Sequence, residues 1–495
     1  MQEIKDSAVE TKNYTVAVDL GSSSVVVAVG ETRDDGRMHV AAVVSKPVEG
    51  VNAGRIDNIE LVSRAIREAV SEVEAQLGIR ITEAYAGISG DFVRCARHTD
   101  HVYVFDPETG VSQRDVDALF DRMRNVQAPD DEIIMERVPQ LYMVDNAREV
   151  KNPVGSFGKK LASTFNFILC EKTPIQRLEM AFKHLKIRPS AIYPNTLATP
   201  EAVLLPEEKE EGVAVVDIGS GTTDVTVYYR NVVRYVATIP MGAAAINRDI
   251  RTMSVPEKHV ENLKLHYGSA VAELAPENKM IRVTGRTARE ATDILLRNLA
   301  TVIEARATDI AEFAAREIAD SGYAAQLGFG IVLTGGSSQL KHIDELFRRV
   351  TGMEVRLALP ETGLTEESKP LAADPAYATA VGLLLKATAQ TPRTAEEPKK
   401  RPQHPGVPES LYGAFNRLGD AAADKRAPAR EEETPERPAP ERSDAQEPER
   451  PASDPFAAEE PEEKSTKSTR NWGAFFQKTF EKINKSFSAA EDEEI

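Results

Sequence analysis

Cysteine is nearly absent: the 495-residue chain has two, Cys95 and Cys170, far apart and in neither a CxxC nor a zinc-knuckle spacing. A disulfide scaffold, a cysteine zinc site and thioredoxin-type redox chemistry are thereby excluded as organising principles. No uncharged apolar run reaches the roughly 20 residues a membrane-spanning helix needs. The opening MQEIKDSAVETKNY also lacks the apolar centre of a secretory signal, so the body is expected to be soluble and cytoplasmic. Positive charge is in deficit, 61 Lys and Arg against 78 Asp and Glu for a formal net charge of -17. A polyanionic surface repels phosphate at long range, and no nucleic-acid partner is expected. The eight histidines form no H-E-x-x-H pair, and there is no Gly-x-Ser-x-Gly elbow; hydrolytic metal and serine chemistry are set aside.

Such a length calls for more than one domain, or one domain split by insertions. Up to about Gln390 short Val- and Ile-rich runs alternate with helix-period stretches, the mark of a mixed α/β architecture. YTVAVDLG and SVVVAVGE read as strands, and ELVSRAIREAVSEVEAQLG follows as an amphipathic helix stopped by Gly78. The same order recurs after residue 212, with GVAVVDIG, TDVTVYYR and VVRYVATIPMG as strands. This duplication suggests two related lobes facing each other. From Thr391 the composition turns to Pro, Glu, Arg and Ala with few apolar residues, too few to offset the entropy of ordering, so disorder is expected there.

Two small-residue loops carry the chemistry. DLGSSS (Asp19 to Ser24) and DIGSGTTD (Asp217 to Asp224) each run strand, tight turn, strand. Glycine lets backbone N–H groups converge on an anion and Ser or Thr hydroxyls add donors, so phosphate is the expected ligand. Either loop alone is also what an ordinary hairpin uses; one per lobe, each behind an Asp at the end of an apolar strand, suggests two hairpins pinching a polyphosphate. Asp19 and Asp217 are then placed to hold the waters of a Mg²⁺ ion. A Walker loop is excluded because a strand, not a helix, follows each Gly cluster, and a Rossmann fingerprint fails on spacing. In GIVLTGGSSQLKHIDELFRRV, Gly335, Gly336 and Ser337 read as a shelf for a nucleoside.

Hairpin, hairpin and Gly-Gly shelf in this order resemble the actin, heat-shock chaperone and sugar-kinase ATPase superfamily, and within it the bacterial cell-division family FtsA. The resemblance covers about residues 13 to 388 through VAVDLGSSSV, VVDIGSGTTDVTVY, IPMGAAAINRDI, VENLKLHYG, IVLTGGSSQL and DPAYATAVGL. It implies an α/β, actin-like two-lobed fold with an inserted SHS2-type subdomain: lobe 1 over residues 13–85 and 166–211, the insertion over 86–165, lobe 2 over 212–375 with a peripheral subdomain at about 243–300, and a return helix over 376–390. By motif, Gly21, Ser22, Ser23 and Ser24 and Gly219, Ser220, Gly221, Thr222 and Thr223 would hold the phosphates of ATP. Asp19 and Asp217 would face Mg²⁺, Gly335, Gly336 and Ser337 the adenosine, and Glu261 and Lys264 the ribose and adenine. Relatives commonly have Lys at the fourth small-loop position, where this chain has Ser24. Glu201 of TPEAVLL is the candidate for orienting an attacking water, with a solvated helix-end charge as the plain alternative. Arg297 and Arg306, in an arginine-rich stretch, are the candidate contacts for the tail of the tubulin-like ring protein FtsZ, with a solvated helix face as the alternative.

Independent of that resemblance, residues 470–488, beyond the linker 391–469, place Trp472, Phe476, Phe480, Ile483 and Phe487 on one helical stripe widened by Phe475 and flanked by Lys478, Lys482 and Lys485. An aromatic face bordered by cations suits the headgroup boundary of an anionic membrane; docking on a protein is the alternative. A shorter apolar group, Leu411, Tyr412, Phe415 and Leu418, interrupts the linker. Together these features predict an ATP-binding adaptor that forms filaments with itself and, with other division proteins, ties the FtsZ ring to the cytoplasmic face of the inner membrane. An actin-like pilus-assembly protein and a soluble sugar or acetate kinase are the alternatives; a slow ATPase is the most enzyme-like outcome.

Overall fold

The computed structural model describes residues 14–145, 149–283 and 292–390. The linker 391–469, its Leu411–Leu418 element and the aromatic segment 470–488 lie outside the described residues. In chain order lobe 1 begins with β1 (Thr15–Leu20), β2 (Ser24–Thr32), β3 (Met38–Pro47), the short pair β4 (Val51–Asn52) and β5 (Arg55–Ile56), α1 (Ile59–Leu77) and β6 (Glu83–Ile88). The expected amphipathic helix is α1: Asn58 Oδ1 accepts the N–H groups of Glu60 and Leu61 at its start, and Gly78 ends it in the left-handed conformation. Its buried stripe, Val62, Ile66, Ala69, Val70 and Val73, packs into the lobe 1 core.

An inserted unit follows, with β7 (Val93–Tyr103), α2 (Gln113–Arg124), β8 (Glu132–Val144) and β9 (Lys160–Glu171). Its strands form an antiparallel sheet in the order β7-β9-β8, and Leu119, Phe120 and Met123 of α2 pack on Phe165 and Phe167 in a core separate from those of the lobes. The boundaries expected at residues 86 and 165 fall inside strands: residue 86 belongs to β6, paired with β1 in the lobe 1 sheet, and residue 165 to β9. Pairing therefore moves the limits of the insertion to about 89 and 171, since a ladder cannot be cut in mid-strand.

The chain returns through α3 (Lys172–Leu185), β10 (Arg188–Pro194), α4 (Asn195–Val203) and α5 (Pro206–Glu211). Lobe 2 then comprises β11 (Val213–Ile218), β12 (Thr223–Tyr229), β13 (Val232–Ile239), α6 (Ala243–Arg251), α7 (Glu257–Tyr267), β14 (Met280–Val283), β15 (Thr292–Leu295), α8 (Leu296–Asp320), β16 (Ile331–Thr334), α9 (Ile343–Thr351) and β17 (Val355–Leu357). Finally α10 (Lys369–Ala372) and α11 (Ala378–Gln390) come back to lobe 1.

The duplication seen in the sequence is one topology used twice. Lobe 1 has strand order β10-β6-β1-β2-β3 and lobe 2 β17-β16-β11-β12-β13. In each, three strands form an antiparallel meander and the next two run parallel to its first strand. Strand alternation splits β11 between two cores, Val213 and Val215 facing the core shared with lobe 1, Ala214, Val216 and Ile218 that of lobe 2. The helices α4 and α11 pack against each other where the lobes meet.

Candidate functional site

Between the lobes lies a cavity of about 460 Å³, within the range of ligand pockets of roughly 300–1,000 Å³. Both glycine turns wall it. Each is closed by the same bond, Gly21 N–H to Ser24 O and Gly219 N–H to Thr222 O, both 2.9 Å. The N–H groups of Ser22, Ser23 and Ser220, which line the cavity, make no hydrogen bond to any described residue, which leaves them for an anion. The turns touch across the cleft: a Cβ on Gly221 would lie 2.3 Å from Ser22 Oγ.

At the floor, Asp19 and Asp217 end β1 and β11. Asp19 is buried, and its Oδ1 accepts the Asn195 amide at 3.1 Å. Asp217 Oδ2 accepts hydroxyls from Thr199 of α4 (2.9 Å) and Thr379 of α11 (3.1 Å), whose oxygens lie 2.8 Å apart. A third carboxylate, Asp224, pairs across the ladder with Asp217 and accepts Ser89 Oγ from lobe 1 at 2.8 Å and Thr238 Oγ1 at 2.5 Å. Burial, then the Asp217 charge, push Asp19 and Asp224 each up to about 7; burial also raises Asp217, against the pull of its two threonines. A carboxyl titrating near neutral pH can take a proton from water and return it.

Gly335, Gly336 and Ser337 line the far end with Leu340, Pro375 and Ala376. Ser337 Oγ donates to Gly219 O at 2.9 Å, tying shelf to turn. Glu261 and Lys264 of α7 also face the cavity, their side chains 2.9 Å apart, and Asn247 bonds Glu261.

Three predicted residues are placed otherwise. Glu201 is no part of the cleft: Lys209 Nζ donates to it at 2.8 Å and Tyr228 OH approaches from the same side. On α4 the residues that reach the floor aspartates are Asn195 and Thr199, one turn apart; two residues further on, a helix has rotated about 200° and points away. The water-orienting assignment to Glu201 is therefore corrected. Thr223 sits beneath its turn, fully buried and donating to Met241 O at 2.8 Å, because strand alternation turns Thr222 and Asp224 to the cleft and Thr223 from it. Gly221 faces Ser22 rather than the cavity interior.

Arg297 and Arg306 lie on α8, away from the cavity. Arg297 pairs with Glu277 and with the carbonyls of Ala272 and Glu273; Arg306 pairs with Asp249 and Asp309. Both cysteines are free.

Whether these residues suit a magnesium nucleotide is tested by what they leave unsatisfied. Asn195 Oδ1 is a buried acceptor without a donor among the described residues, it lies beside carboxylates that burial pushes up, and both turns offer N–H groups unpaired among those residues. Among the described residues no three ligating side chains could hold a metal ion unaided. The set fits an ion that brings its own waters and phosphate oxygens.

Two family models match the chain, cell division protein FtsA over residues 214–382 and the SHS2 domain inserted in FtsA over residues 90–169. The cell division protein FtsA of Pseudomonas aeruginosa is 31% identical over 382 residues, 77% of this chain and 90% of the relative. That of Neisseria meningitidis serogroup B is 31% identical over 379 residues, 76% and 90%, and that of Escherichia coli K12 29% over 383, 75% and 90%. Among solved structures, a chain of the PilM-PilN type IV pilus biogenesis complex has the same fold, with TM-score 0.53 and 14% identity over 75% of this chain and 98% of that one. The expected class is thus observed: an actin-like two-lobed α/β fold carrying an SHS2-type insertion. Among the described residues no helix is long and apolar enough to cross a membrane.

Proposed function

Because this chain belongs to the FtsA family of cell division proteins, we propose that it is an ATP-binding adaptor that polymerises and ties the FtsZ ring to the cytoplasmic face of the membrane. One observation carries the nucleotide half: twin glycine turns from opposite lobes, each with free N–H groups, meet over a floor of three carboxylates. Ser22, Ser23 and Ser220 would cradle the phosphates, Asp19 and Asp217 would hold the waters of Mg²⁺, and the Gly335–Ser337 shelf with Glu261 and Lys264 would take the adenosine. When bound, the ion neutralises charge on the phosphate oxygens. With Glu201 turned away, Asp224 is the group able to orient and deprotonate a water, its oxygen held by Ser89 and Thr238.

The ligand touches both lobes, so it favours the closed cleft and shifts the population able to assemble. Arg297 and Arg306 remain the proposed contacts for the FtsZ tail, each keeping about a third of its side chain exposed beside its internal partners. The membrane half rests on the aromatic and cationic stripe of residues 470–488. A single such helix binds weakly, and a filament presenting many gains avidity over several orders of magnitude.

Liposome co-sedimentation with and without ATP tests this, comparing the full chain with a truncation before Arg470. The full chain should pellet with anionic vesicles, more so with ATP, and the truncation should stay in the supernatant. Equal pelleting of both would remove the membrane half.

A further inference from the structure

The short hairpin of β4 and β5 lies against four separate places, two of them through bonds and two through close approach. Gly54 N–H donates to Ser22 Oγ of the lobe 1 turn at 3.2 Å, and the neighbouring Ala53 N lies 3.2 Å from where Gly221 of the lobe 2 turn would carry a Cβ. A Cβ on Gly54 would fall 1.8 Å from Ser89 O, and Ser89 in turn holds Asp224. Arg55, which does not line the cavity, points the other way. Its guanidinium forms two parallel bonds to Glu171 (both 3.1 Å), a third to Asp91 (3.1 Å), and lies 5.1 Å over the Phe92 ring. Asp91 and Phe92 lead into the inserted subdomain, and Glu171 is its last strand residue. The tip itself is stiff: Ala53 and Gly54 both have positive φ (45° and 81°), the two-residue turn whose twist suits a hairpin.

At its other side the insertion bears on lobe 2. Gln140 donates to Val233 O at 3.0 Å, Asn166 to Arg234 O at 2.8 Å, and Arg234 Nη1 to Gln140 Oε1 at 2.9 Å. Arg234 is 2% exposed, and its guanidinium lies over the Tyr229 and Tyr323 rings, its Nη2 without a hydrogen-bond partner among the described residues. A buried guanidinium nitrogen unpaired among the described residues makes this seam costly to keep dry, whereas the half-exposed Arg55 joint engages all three of its guanidinium nitrogens. A shift between the lobes cannot leave the insertion seated on both.

We infer that the Val51–Ile56 hairpin relays the state of the phosphate cleft to the inserted subdomain, which moves with lobe 1 and shifts against β13 of lobe 2. This rests on the cleft binding nucleotide, as proposed above. The contacts form a contiguous physical chain: turn, hairpin tip, Arg55 fork, both ends of the insertion.

Backbone hydrogen exchange of the full chain, with and without AMPPNP and Mg²⁺, reads the relay in peptides covering residues 136–142 and 230–236. In the unmodified chain the nucleotide should change exchange there by roughly fivefold or more, the scale of ordinary coupling between sites. Arg55→Ala should still take up AMPPNP while the seam stops responding, and Arg55→Lys, which keeps the charge and loses the fork, should respond weakly. An Arg55→Ala seam that responds as strongly as the unmodified chain overturns the relay, as does a nucleotide-bound unmodified chain whose seam never changes. A chain that takes up no AMPPNP defeats the relay and the nucleotide reading together, so the two failures are told apart.

Discussion

The two glycine hairpins are the same device with different backing. Asp19 and Asp217 occupy equivalent ends of equivalent strands, but across the ladder from Asp19 sits Val26 and across from Asp217 sits Asp224. The lobe 1 carboxylate is steadied by one amide, the lobe 2 carboxylate by two hydroxyls from the helices between the lobes. Lobe 2 also ties its turn to its surroundings, with Gly219 O accepting from Ala243 N and Ser337 Oγ, and Ser220 O from Ala244 N. Duplication thus supplied a symmetric pair of turns, and the carboxylate asymmetry collects on lobe 2, beside the helices α4 and α11 between the lobes.

That contrast breaks most sharply at the cross-strand pair. Asp224→Asn should lower ATP turnover on the order of 100-fold, the usual scale for removing a general base, with nucleotide still bound. Val26→Ala, at the matching place in lobe 1, should leave turnover unchanged. Phosphate release under saturating ATP measures both, and an unchanged rate in Asp224→Asn would return the hydrolytic step to another residue.

The next effect is structural. Gly335 has φ 85°, and a Cβ there would come within 2.2 Å of Asp217 Oδ1 and 2.7 Å of Ile218 O. Gly335→Ala should therefore cost about 2 kcal/mol or more through left-handed strain and overlap. At the adjacent Gly336 the nearest atom is 3.4 Å away, Ala376 Cβ, so Gly336→Ala should be close to neutral. Urea midpoints of the two variants decide whether the shelf is rigid because of lobe 2's carboxylate or merely adjacent to it.

These residues also show what the sequence made legible. Both turns and their leading aspartates could be read because each signal is local: an apolar run, a carboxylate, a glycine where the chain reverses. Asp224 stood in plain view, but its role depends on register, which places it opposite Asp217 and inside the cleft. Asn195, Thr199, Thr379 and Ser89 carry no local signal at all, since they reach the floor from elements as far as 176 residues from the aspartates they bond. Glu201 shows the cost of choosing by residue type without helical phase, because Thr199, two positions earlier, is the one that faces inward. The insertion was recognisable by motif, while its limits needed strand pairing.

Titration should separate charge from geometry in the same comparison. Asp19 and Asp224 are both pushed up to about 7 from an ordinary 3.8. Between about pH 4 and 7 the folded chain therefore keeps protons the unfolded chain has released, so ligand-free stability is full below that window and falls as pH rises through it. The slope is at most about 1.4 kcal/mol per pH unit for each carboxylate. Urea midpoints from pH 4.5 to 7.5 should show this decline, and Asp19→Asn and Asp224→Asn should flatten it to similar degrees. Since both lobes respond alike, a large difference between the two variants would place the asymmetry in charge rather than in the α4 and α11 contacts.

Ser24 offers the smallest and most constructive change. It closes the lobe 1 turn through its carbonyl and lines the cavity. Ser24→Lys keeps the backbone bond and adds a cation near Asp19, so it should strengthen the grip on the terminal phosphate. Partial exposure of the position limits the gain to about fivefold in affinity, near 1 kcal/mol, and salt should erode it. The gain should be larger for ATP than for ADP, because the added ammonium answers the charge that only the triphosphate brings. Equal gains for both would mean that lobe 1 contributes general attraction, leaving recognition of the last phosphate to the lobe 2 turn.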